Sequence, residues 1–579
     1  MLVGLTGACT STASPTPSVA TDPVAGPTAS AARPTSSPIP STGQAPEQGE
    51  IGPDALVVTV SDRLRVRSEP RVSADSVKYE PVLPLGTELL VLEGPERGSG
   101  YTWFKVSPVS FAGLQGPGYG WVAMADKDGE PWIDLVPGTG ATPGVAMADL
   151  PRSTPDPRAA AGAAASINAF GIDMHRRLVT DKALKLGDKN MVFSPTSIAL
   201  ALAMARGGAK GVTAGEMDRV LHAAGWAELA EGLNALEQAL AARNGTWKDS
   251  EGTKELILRT ANAAFAQQGW EIERDYLDAI AQAFGAGVRL VDYIGDVGLA
   301  RQTINRWVSD RTARRIPELL TPTDLSADTR LTLVNAVYLK AQWTEWFSEA
   351  STKPRPFTRL DGSRVSVPTM RRSGGWELPY ARGKGWQATE LRYLGPDEGH
   401  QLAMLLVLPG DLASFEAGLT AAKLERITKA VMEQSAIQGR GVDCPGVPAD
   451  QQDGGCYPYN LDLFLPRFGI ETRAAVNPVL EALGMNSAFG LAADFSGINR
   501  TGPLFISAVI HQANIDVDEK GTEAAAATAI GMDTGGGPSA IEDISLRLDH
   551  PFLFFVRDVE TGAVLFMGRV VDPSAPKGR

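Results

Sequence analysis

Cysteine is scarce in this chain of 579 residues, which contains three: Cys9, Cys444 and Cys456. Cys444 and Cys456 lie in VDCPGVPADQQDGGCYPYN, whose proline, glycine and aspartate content is typical of an exposed loop. Their spacing fits no zinc motif and no histidine lies nearby, so no metal site is predicted. A loop disulfide between the two and a pair of free thiols remain as alternatives.

Long apolar runs and excess positive charge are also lacking. No apolar run reaches the ~18 residues that a membrane helix needs. The net charge of −13 repels a phosphate backbone, which argues against a general nucleic-acid binder. Nothing repeats at a fixed period, so a solenoid or propeller is not expected. The hydrophobic fraction of 43% is ample for large cores, and the length suggests roughly three or four domain-sized units.

Motifs of conventional enzyme chemistry are missing as well. The sequence has no GxSxG elbow and no HExxH, and GGAKGVT resembles a phosphate-binding loop only superficially. Five histidines are present. His511 lies in FISAVIHQAN, where alternating apolar residues favour a buried, hydrogen-bonded histidine over a general base. The sequence therefore predicts a protein that is not an enzyme and needs no cofactor; a hydrolase using Ser194 or His511 is the weakest alternative.

The first residues, MLVGLTGAC, resemble the end of a bacterial lipoprotein signal, in which the cysteine becomes lipidated. A charged start and a full apolar stretch are missing. Residues 10–50 are mostly Ser, Thr, Ala and Pro, and such a segment cannot bury enough surface to offset its ordering entropy. We expect residues 1–52 to be a partial signal and an extended tether, with a lipid on Cys9. The protein would then be extracellular or held at the cell surface, touching the membrane only through that lipid.

Residues 53–136 alternate in the manner of a small β unit, with short Val-, Leu- and aromatic-rich runs between Gly and Pro. The pattern LRVRSEP…LGT…TWFKV…GYGWV resembles the bacterial Src-homology-3-like domain, a compact all-β barrel. The resemblance is carried by Leu64, Val66, Arg67, Pro70, Gly86, Thr87, Trp103, Val106, Gly120 and Trp121. It implies a cell-wall or peptide ligand, which Trp103 and Trp121 could stack against unless they fill structural places. Residues 137–159, rich in Pro and Gly, are predicted to be a linker.

The large domain, residues 160–579, is predicted to be α+β with a largely antiparallel sheet, because helical patterns come mostly first and strand patterns mostly last. Ile167, Phe170, Met174 and Leu178 fall on one face of a helix. In NPVLEALG we expect Asn477 as the helix cap and Gly484 just past the helix end. Strands are predicted in RLTLVNAVYL, QLAMLLVLP, NLDLFLPRF, PLFISAVI, FLFFVRD and AVLFMG.

Six segments in order over about residues 160–574 resemble the serpins. They are MVFSPTSIALALAMARGGAKGVT, LVNAVYLKAQWTEWF, LFLPRFGIET, LGMNSAF…ADFSGI, ISAVIHQANIDVDEKGTEAAAAT and HPFLFFVRDVETGAVLFMGRVVDP. The resemblance implies a fold of three sheets with surrounding helices and an exposed reactive loop. It also implies that a target serine protease cleaves that loop, that the loop then inserts into the main sheet, and that the protease is trapped as a covalent acyl complex.

The stretch EKGTEAAAATAIGMDTGGGP resembles the hinge and reactive loop of that family. The hinge residues are Glu519, Gly521, Thr522, Ala524, Ala525, Ala526, Ala527 and Thr528. Strand residues alternate between faces. Small, then larger apolar residues recur at every second position from Thr522 to Met532, which suits burial, while the other set suits solvent. By the family's convention, the reactive bond lies at Gly535–Gly536, with Met532, Thr534, Gly537 and Ala540 as alternatives.

Other positions match the mechanical parts of the family. Ser194, Ser197, Asn335 and His511 match the shutter beneath the point of sheet opening, and Trp343 matches the breach, where insertion begins. We expect a monomeric inhibitor of an elastase-like or subtilisin-like protease. The alternative is a non-inhibitory serpin-fold protein that binds or carries a ligand.

Overall fold

The computed structural model describes residues 51, 55–74, 76–108, 114, 119–127, 129–135, 144–148, 150–182, 184–249, 252–312, 314–375, 378–395, 402–438, 459–522 and 542–575. Residues 1–50, which make up most of the predicted tether, lie outside this part of the chain. None of the helices in the described part has the length and apolar character needed to span a bilayer.

The amino-terminal part forms one seven-stranded antiparallel sheet, in the order β3-β2-β6-β5-β4-β1-β7. Its strands are Leu56–Thr59 (β1), Leu64–Arg67 (β2), Lys78–Leu83 (β3), Glu88–Gly98 (β4), Tyr101–Pro108 (β5), Gly120–Ala123 (β6) and Ile133–Leu135 (β7). Trp103 and Trp121 are buried, and the indole N–H of Trp103 donates to the Gly98 carbonyl at 2.8 Å. These two tryptophans therefore fill structural places, while the half-buried rings of Tyr101 and Trp132 stack at 5.9 Å beside them.

Nine α-helices lie in the described part of the chain. They are Ala159–Thr180 (α1), Pro195–Arg206 (α2), Gly211–Val220 (α3), Trp226–Ala241 (α4), Arg274–Phe284 (α5), Val297–Arg311 (α6), Leu412–Ala417 (α7), Ala421–Gln438 (α8) and Asn477–Ala482 (α9). In α1, all four residues predicted to share a face are buried: Ile167, Phe170, Met174 and Leu178. The helical periodicity of that segment is thus confirmed.

Three further sheets accompany these helices, and the predicted α+β class is confirmed. The eight-stranded sheet runs β20-β21-β22-β13-β11-β12-β8, with β10 paired to β11; the four-stranded sheet runs β14-β15-β19-β23; the six-stranded sheet runs β16-β17-β18-β24-β25-β9. The strands up to β13 are Gly144–Ala146 (β8), Met191–Phe193 (β9), Gly245–Asp249 (β10), Gly252–Gln267 (β11), Val288–Val291 (β12) and Leu331–Gln342 (β13).

The remaining strands fall in the second half of the domain, where strand patterns dominate the sequence. They are Lys353–Thr358 (β14), Arg364–Gly375 (β15), Tyr380–Gly383 (β16), Trp386–Arg392 (β17), Leu402–Pro409 (β18), Asn460–Pro466 (β19), Phe468–Ala475 (β20), Ile506–Val517 (β21), Gly521–Thr522 (β22), Asp543–Arg547 (β23), Phe552–Asp558 (β24) and Val564–Val570 (β25). Each of the six strand segments predicted from sequence contributes to one of the strands from β13 to β25. The main core lies between the eight- and six-stranded sheets and the helices, and β18, β24 and β25 are buried at every position.

The expected cap of α9 differs from the structure. The residue at the N-cap position is Val476, and Asn477 lies inside the first turn, so the prediction of Asn477 as the cap is wrong. Its side-chain amide oxygen instead accepts from the Val509 N–H at 2.8 Å. The tertiary bond to β21 therefore replaces the local capping bond. Gly484 follows the helix with a φ of 110°, a left-handed conformation that glycine adopts without strain.

The segment predicted to be a linker also takes part in the fold. Within it, β8 pairs antiparallel with β12, from Ala146 opposite Val288 to Gly144 opposite Leu290. The guanidinium of Arg152 then binds the side chains of Asn234 and Glu237, at 2.7 and 2.6 Å. The Pro- and Gly-rich sequence gave no signal of this strand, because three residues are too few for a period to be seen.

The close packing of β25 gives a test of the fold. A Cβ added at Gly568 would lie 2.3 Å from Cζ of Phe554 and 2.5 Å from the Met191 carbonyl oxygen. We expect Gly568→Ala to lower the free energy of unfolding by about 1–3 kcal/mol, because overpacking forces neighbours to shift. Urea unfolding measures the change. Gly490→Ala, where nothing lies within 4 Å of the added methyl group, is the control; equal stability of the two variants would contradict the packing argument.

Candidate functional site

The candidate site is the seam between β13 and β21 in the middle of the eight-stranded sheet. The two strands are parallel and pair from Leu331 opposite Ile506 to Val337 opposite Ala513. Beyond Ala513, the short strand β22 lies between them and pairs antiparallel with both. The seam is therefore closed along one part of its length. At its other end it holds the two residues of β22, Gly521 and Thr522, which we call the wedge.

Thr522 is the innermost described residue of that wedge. It lies opposite Ala341 of β13 and Val517 of β21, and it is fully buried. Its hydroxyl shares a hydrogen bond of 2.7 Å with the phenol of Tyr393. Burial raises the pKa of Tyr393, so the phenol keeps its proton. Gly521 is required beside it, since an added Cβ would lie 2.1 Å from the Ala341 carbonyl oxygen.

Trp343 holds the turn that precedes the wedge. Its ring is buried and stacks on Tyr393, with centroids 4.4 Å apart. The indole N–H donates to the Asp518 carbonyl at 3.0 Å, and the backbone N–H donates to the Lys520 carbonyl at 2.8 Å. Trp343 thus holds the turn through two hydrogen bonds and also packs against Tyr393, the residue that binds Thr522.

Glu519 anchors the same turn through its carboxylate. The side chain is 4% exposed and makes an ion pair with Arg467, whose Nη2 lies 2.5 Å from Oε1. The Thr352 hydroxyl donates to the same oxygen, and the Phe347 N–H donates to the Glu519 carbonyl at 2.8 Å. A buried carboxylate left without such partners would be costly, so these contacts hold the turn that precedes the predicted reactive segment.

Beneath the wedge, the four predicted shutter residues form one polar network. Asn335 of β13 donates from Nδ2 to Oγ of Ser197 at 2.5 Å, and its Oδ1 meets Nδ1 of His511. The Ser194 backbone N–H donates to Nε2 of His511 at 3.1 Å, and Oγ of Ser194 accepts from the Ser197 N–H at 3.2 Å. Ser194 and Asn335 are 141 positions apart in the sequence, and the fold brings them together under the seam.

The hydrogen bonds determine the state of His511. A backbone N–H can only donate, so Nε2 must accept from Ser194 and Nδ1 must carry the proton given to Asn335. The ring is therefore neutral. Burial lowers its pKa to about 3, in agreement with that tautomer. The expectation of a buried, hydrogen-bonded histidine is confirmed.

A hydrolase that uses Ser194 or His511 finds no support in this geometry. His511 meets the backbone of Ser194, and Oγ of Ser194 faces Ser197 instead. Both residues are 1% exposed, so a substrate cannot reach them. Within the described residues, no group of three or more His, Cys, Asp or Glu side chains could hold a metal ion.

Sequence reasoning missed three residues of the site. Asn262 of β11 completes the network, since its Oδ1 accepts from Ser197 at 2.7 Å and from Asn335 at 2.6 Å. Tyr393 and Arg467 bind the wedge and the turn. An asparagine in the Ala-rich strand RTANAAFAQ was the one available signal, because a polar residue there must find a partner. Tyr393 and Arg467 gave none, since their partners lie far away in sequence.

Several predicted residues lie outside the described part of the chain. They are the hinge residues Ala524, Ala525, Ala526, Ala527 and Thr528, the reactive-bond candidates Met532, Thr534, Gly535, Gly536, Gly537 and Ala540, and the cysteines Cys9, Cys444 and Cys456. Their roles stay predictions.

The neutral state of His511 leads to a pH dependence. Its pKa is about 3 when folded and about 6.5 when unfolded, so between these values the unfolded chain binds more protons. Stability from this group is complete above pH 6.5 and is lost as the pH falls, at about 1.4 kcal/mol per unit. We expect His511→Gln to remove that part of the slope, as measured by urea unfolding between pH 7 and 5. A slope in His511→Gln equal to that of the parent would refute the assignment.

Comparison with known proteins places this architecture in a family. Residues 165–573 match the family model described as Serpin (serine protease inhibitor). A serpin-like protein of Thermococcus kodakarensis is 36% identical over 410 residues, covering 70% of this chain and 85% of that protein. The leukocyte elastase inhibitor of Bos taurus is 31% identical over 389 residues, covering 66% and 93%.

Solved structures agree on the fold. The thermophilic serpin tengpin in its native state matches with a TM-score of 0.58 and 24% identity, over 74% of this chain and 97% of that one. Maspin matches with a TM-score of 0.58 and 21% identity, over 72% and 100%. The family match, the order of the segments and the three sheets agree, and the chain belongs to the serpin family.

Proposed function

We propose that this protein is an inhibitory serpin that traps a serine protease as a covalent acyl complex. The observation that carries the proposal is β22: Gly521 and Thr522 already form a strand between β13 and β21. After cleavage, the residues that follow Thr522 extend this strand down the seam. The acyl-linked protease is carried along and deformed before its ester hydrolyses, in the manner of loop insertion in this family.

The composition of the hinge supports insertion. If Thr522 is buried in β22, the residues at every second position after it face the same core, and these are small or apolar up to Met532. Each newly paired backbone group contributes roughly 0.5–1.5 kcal/mol net. A dozen inserted residues thus release on the order of 10 kcal/mol before the entropy of ordering is subtracted. The uncleaved protein is on this proposal a kinetically trapped state.

The bait, meaning the residues around the predicted reactive bond, favours a protease with a shallow apolar pocket. No Lys or Arg occurs from Gly521 to Leu546, so a trypsin-like pocket with a buried carboxylate finds no cation. Cleavage at Gly535–Gly536, or at a neighbouring bond between Met532 and Ile541, suits an elastase-like or subtilisin-like enzyme. The name of one relative, a leukocyte elastase inhibitor, is in accord with this specificity.

The amino-terminal part would serve localisation. We infer a lipid on Cys9, a tether over residues 1–52, and a Src-homology-3-like barrel over residues 53–136 that binds a cell-wall or peptide ligand. Its half-buried pair Tyr101 and Trp132, rather than the buried Trp103 and Trp121, offers aromatic surface for such a ligand. The inhibitor would act as a monomer outside the cell or at its surface. The alternative, a non-inhibitory carrier, has no need for a hinge made of small residues.

Thr522 provides the direct test of trapping. Thr522→Arg places a charge at a fully buried position, at a cost of several kcal/mol if it finds no partner. We expect the variant to be cleaved and released as a substrate, while the parent forms a complex that survives SDS gel electrophoresis with at least one serine protease of a panel. Thr323→Arg, the same change at an exposed position, should trap as the parent does. Equal complex yields from Thr522→Arg and the parent would refute insertion through this position.

The specificity has a separate test. We expect pancreatic elastase or subtilisin to be trapped and trypsin to be released or ignored, because the bait has no cation for the trypsin pocket. Mass spectrometry of the peptide freed from the complex locates the cut. A cut outside Met532 to Ile541, or rapid trapping of trypsin through this loop, would overturn the assignment.

A further inference from the structure

Three arginines surround one buried aromatic ring of the four-stranded sheet. The guanidinium carbons of Arg355, Arg371 and Arg547 lie 4.6, 5.5 and 4.7 Å from the centroid of Phe464. Phe464 of β19 pairs directly with Arg371 of β15 and with Arg547 of β23. Arg355 reaches the ring from β14, so the two edge strands of the sheet place a cation on the same phenyl group.

The charges in this cluster are unequally compensated. Arg371 makes an ion pair with Asp462 at 2.9 Å. Nε of Arg547 donates to the Ser545 hydroxyl at 3.1 Å, and Nε of Arg355 is buried without an acceptor among the described residues. A desolvated donor without a partner costs free energy, and like charges held close together repel. Contact with the ring offsets only part of this, since a cation–π contact is a weak interaction.

A cavity of about 60 Å³ opens beside the two edge arginines. Arg355 and Arg547 line it, together with the Thr369 side chain and the ring of Phe464. Asp549 also lines it; its carboxylate accepts from His550 at 2.9 Å, and its negative charge also acts on Arg547, which it compensates in part. Because about 10–15 Å³ of such space holds one water molecule, this cavity suits a group of only a few heavy atoms.

We propose that this cavity is an oxyanion site, which binds a sulfate, phosphate or carboxylate group between Arg355 and Arg547. Guanidinium groups pair with such groups through two parallel hydrogen bonds. A bound oxyanion supplies the acceptor that the cluster lacks and cancels the repulsion between its cations. Since its two ligands come from opposite edges, it also ties β23 to β14 across the sheet.

The position of β23 gives the site a consequence. This strand follows the predicted reactive segment, and within the described part of the chain it pairs on one side, with β19. A ligand that holds Arg547 therefore slows the opening of an edge strand that five residue pairs secure. The site itself does not depend on whether the loop traps a protease, so its failure and the failure of the proposed function are separate outcomes.

Thermal unfolding of the full chain in sodium sulfate and in sodium chloride at equal ionic strength tests the site. We expect an extra rise of about 2–4 °C in sulfate, as for a ligand bound in moderate excess over its Kd. Sulfate also stabilises proteins in general, so variants are needed. Arg355→Gln and Arg547→Gln should lose the extra rise, whereas Arg364→Gln, an exposed arginine of β15 that does not line the cavity, should keep it. The same rise in all four proteins would mean a general salt effect and would overturn the site.

Hydrogen exchange on the unchanged protein provides a second readout that needs no variant. Amides of residues 543–547 should exchange several-fold more slowly in sulfate than in chloride, while those of β16, an edge strand of another sheet, should not. Equal slowing of both edge strands would overturn the proposal. Dextran sulfate compared with free sulfate at the same concentration of sulfate groups then separates the sources: protection at lower concentration with the polymer indicates a polymer-borne group, and equal protection indicates a free oxyanion.

Discussion

The neutral imidazole of His511 joins three parts of the molecule that must separate if the eight-stranded sheet is to open. It links β21, to which it belongs, to β13 through Asn335 and to the start of α2 through the Ser194 backbone. Both bonds require an uncharged ring with its proton on Nδ1, and burial supplies that condition. A sheet closed by specific polar bonds can be stable and still part at a defined place, which uniform apolar packing does not provide.

The upper end of the seam has a different construction. Here Trp343, Tyr393 and Thr522 stack and bond in sequence, and the ion pair between Glu519 and Arg467 fixes the turn above them. All of these contacts are made by residues before position 523. The segment that follows therefore starts from a turn held by several contacts, and Thr522 occupies a strand position between β13 and β21. The seam thus has two regions, one closed by hydrogen bonds and one in which β22 separates β13 from β21.

Much of the fold and part of the polar network under the seam could be predicted from the sequence. The helical face of α1 and the buried strands β18, β24 and β25 follow from periodicity and apolar content. The positions of Asn335 and His511 in the network followed from the order of the serpin-like segments. Contacts between distant segments could not be predicted from the sequence: the Asn477 side chain binds β21 instead of capping α9. The arginines around Phe464 come from three different strands, whose register a single sequence does not reveal.

Strand β8 covers an edge at which the eight-stranded sheet could otherwise pair with another chain. The outer side of β12 would otherwise present unpaired backbone N–H and C=O groups at the edge of a large sheet, and such an edge is a template for pairing with another chain. The residues from Gly144 to Ala146 occupy that side. A protein shortened to begin at the large helical domain would lose this cover and leave the edge of β12 open to pairing with another chain. The stretch before that domain is therefore part of what protects the eight-stranded sheet from aggregation.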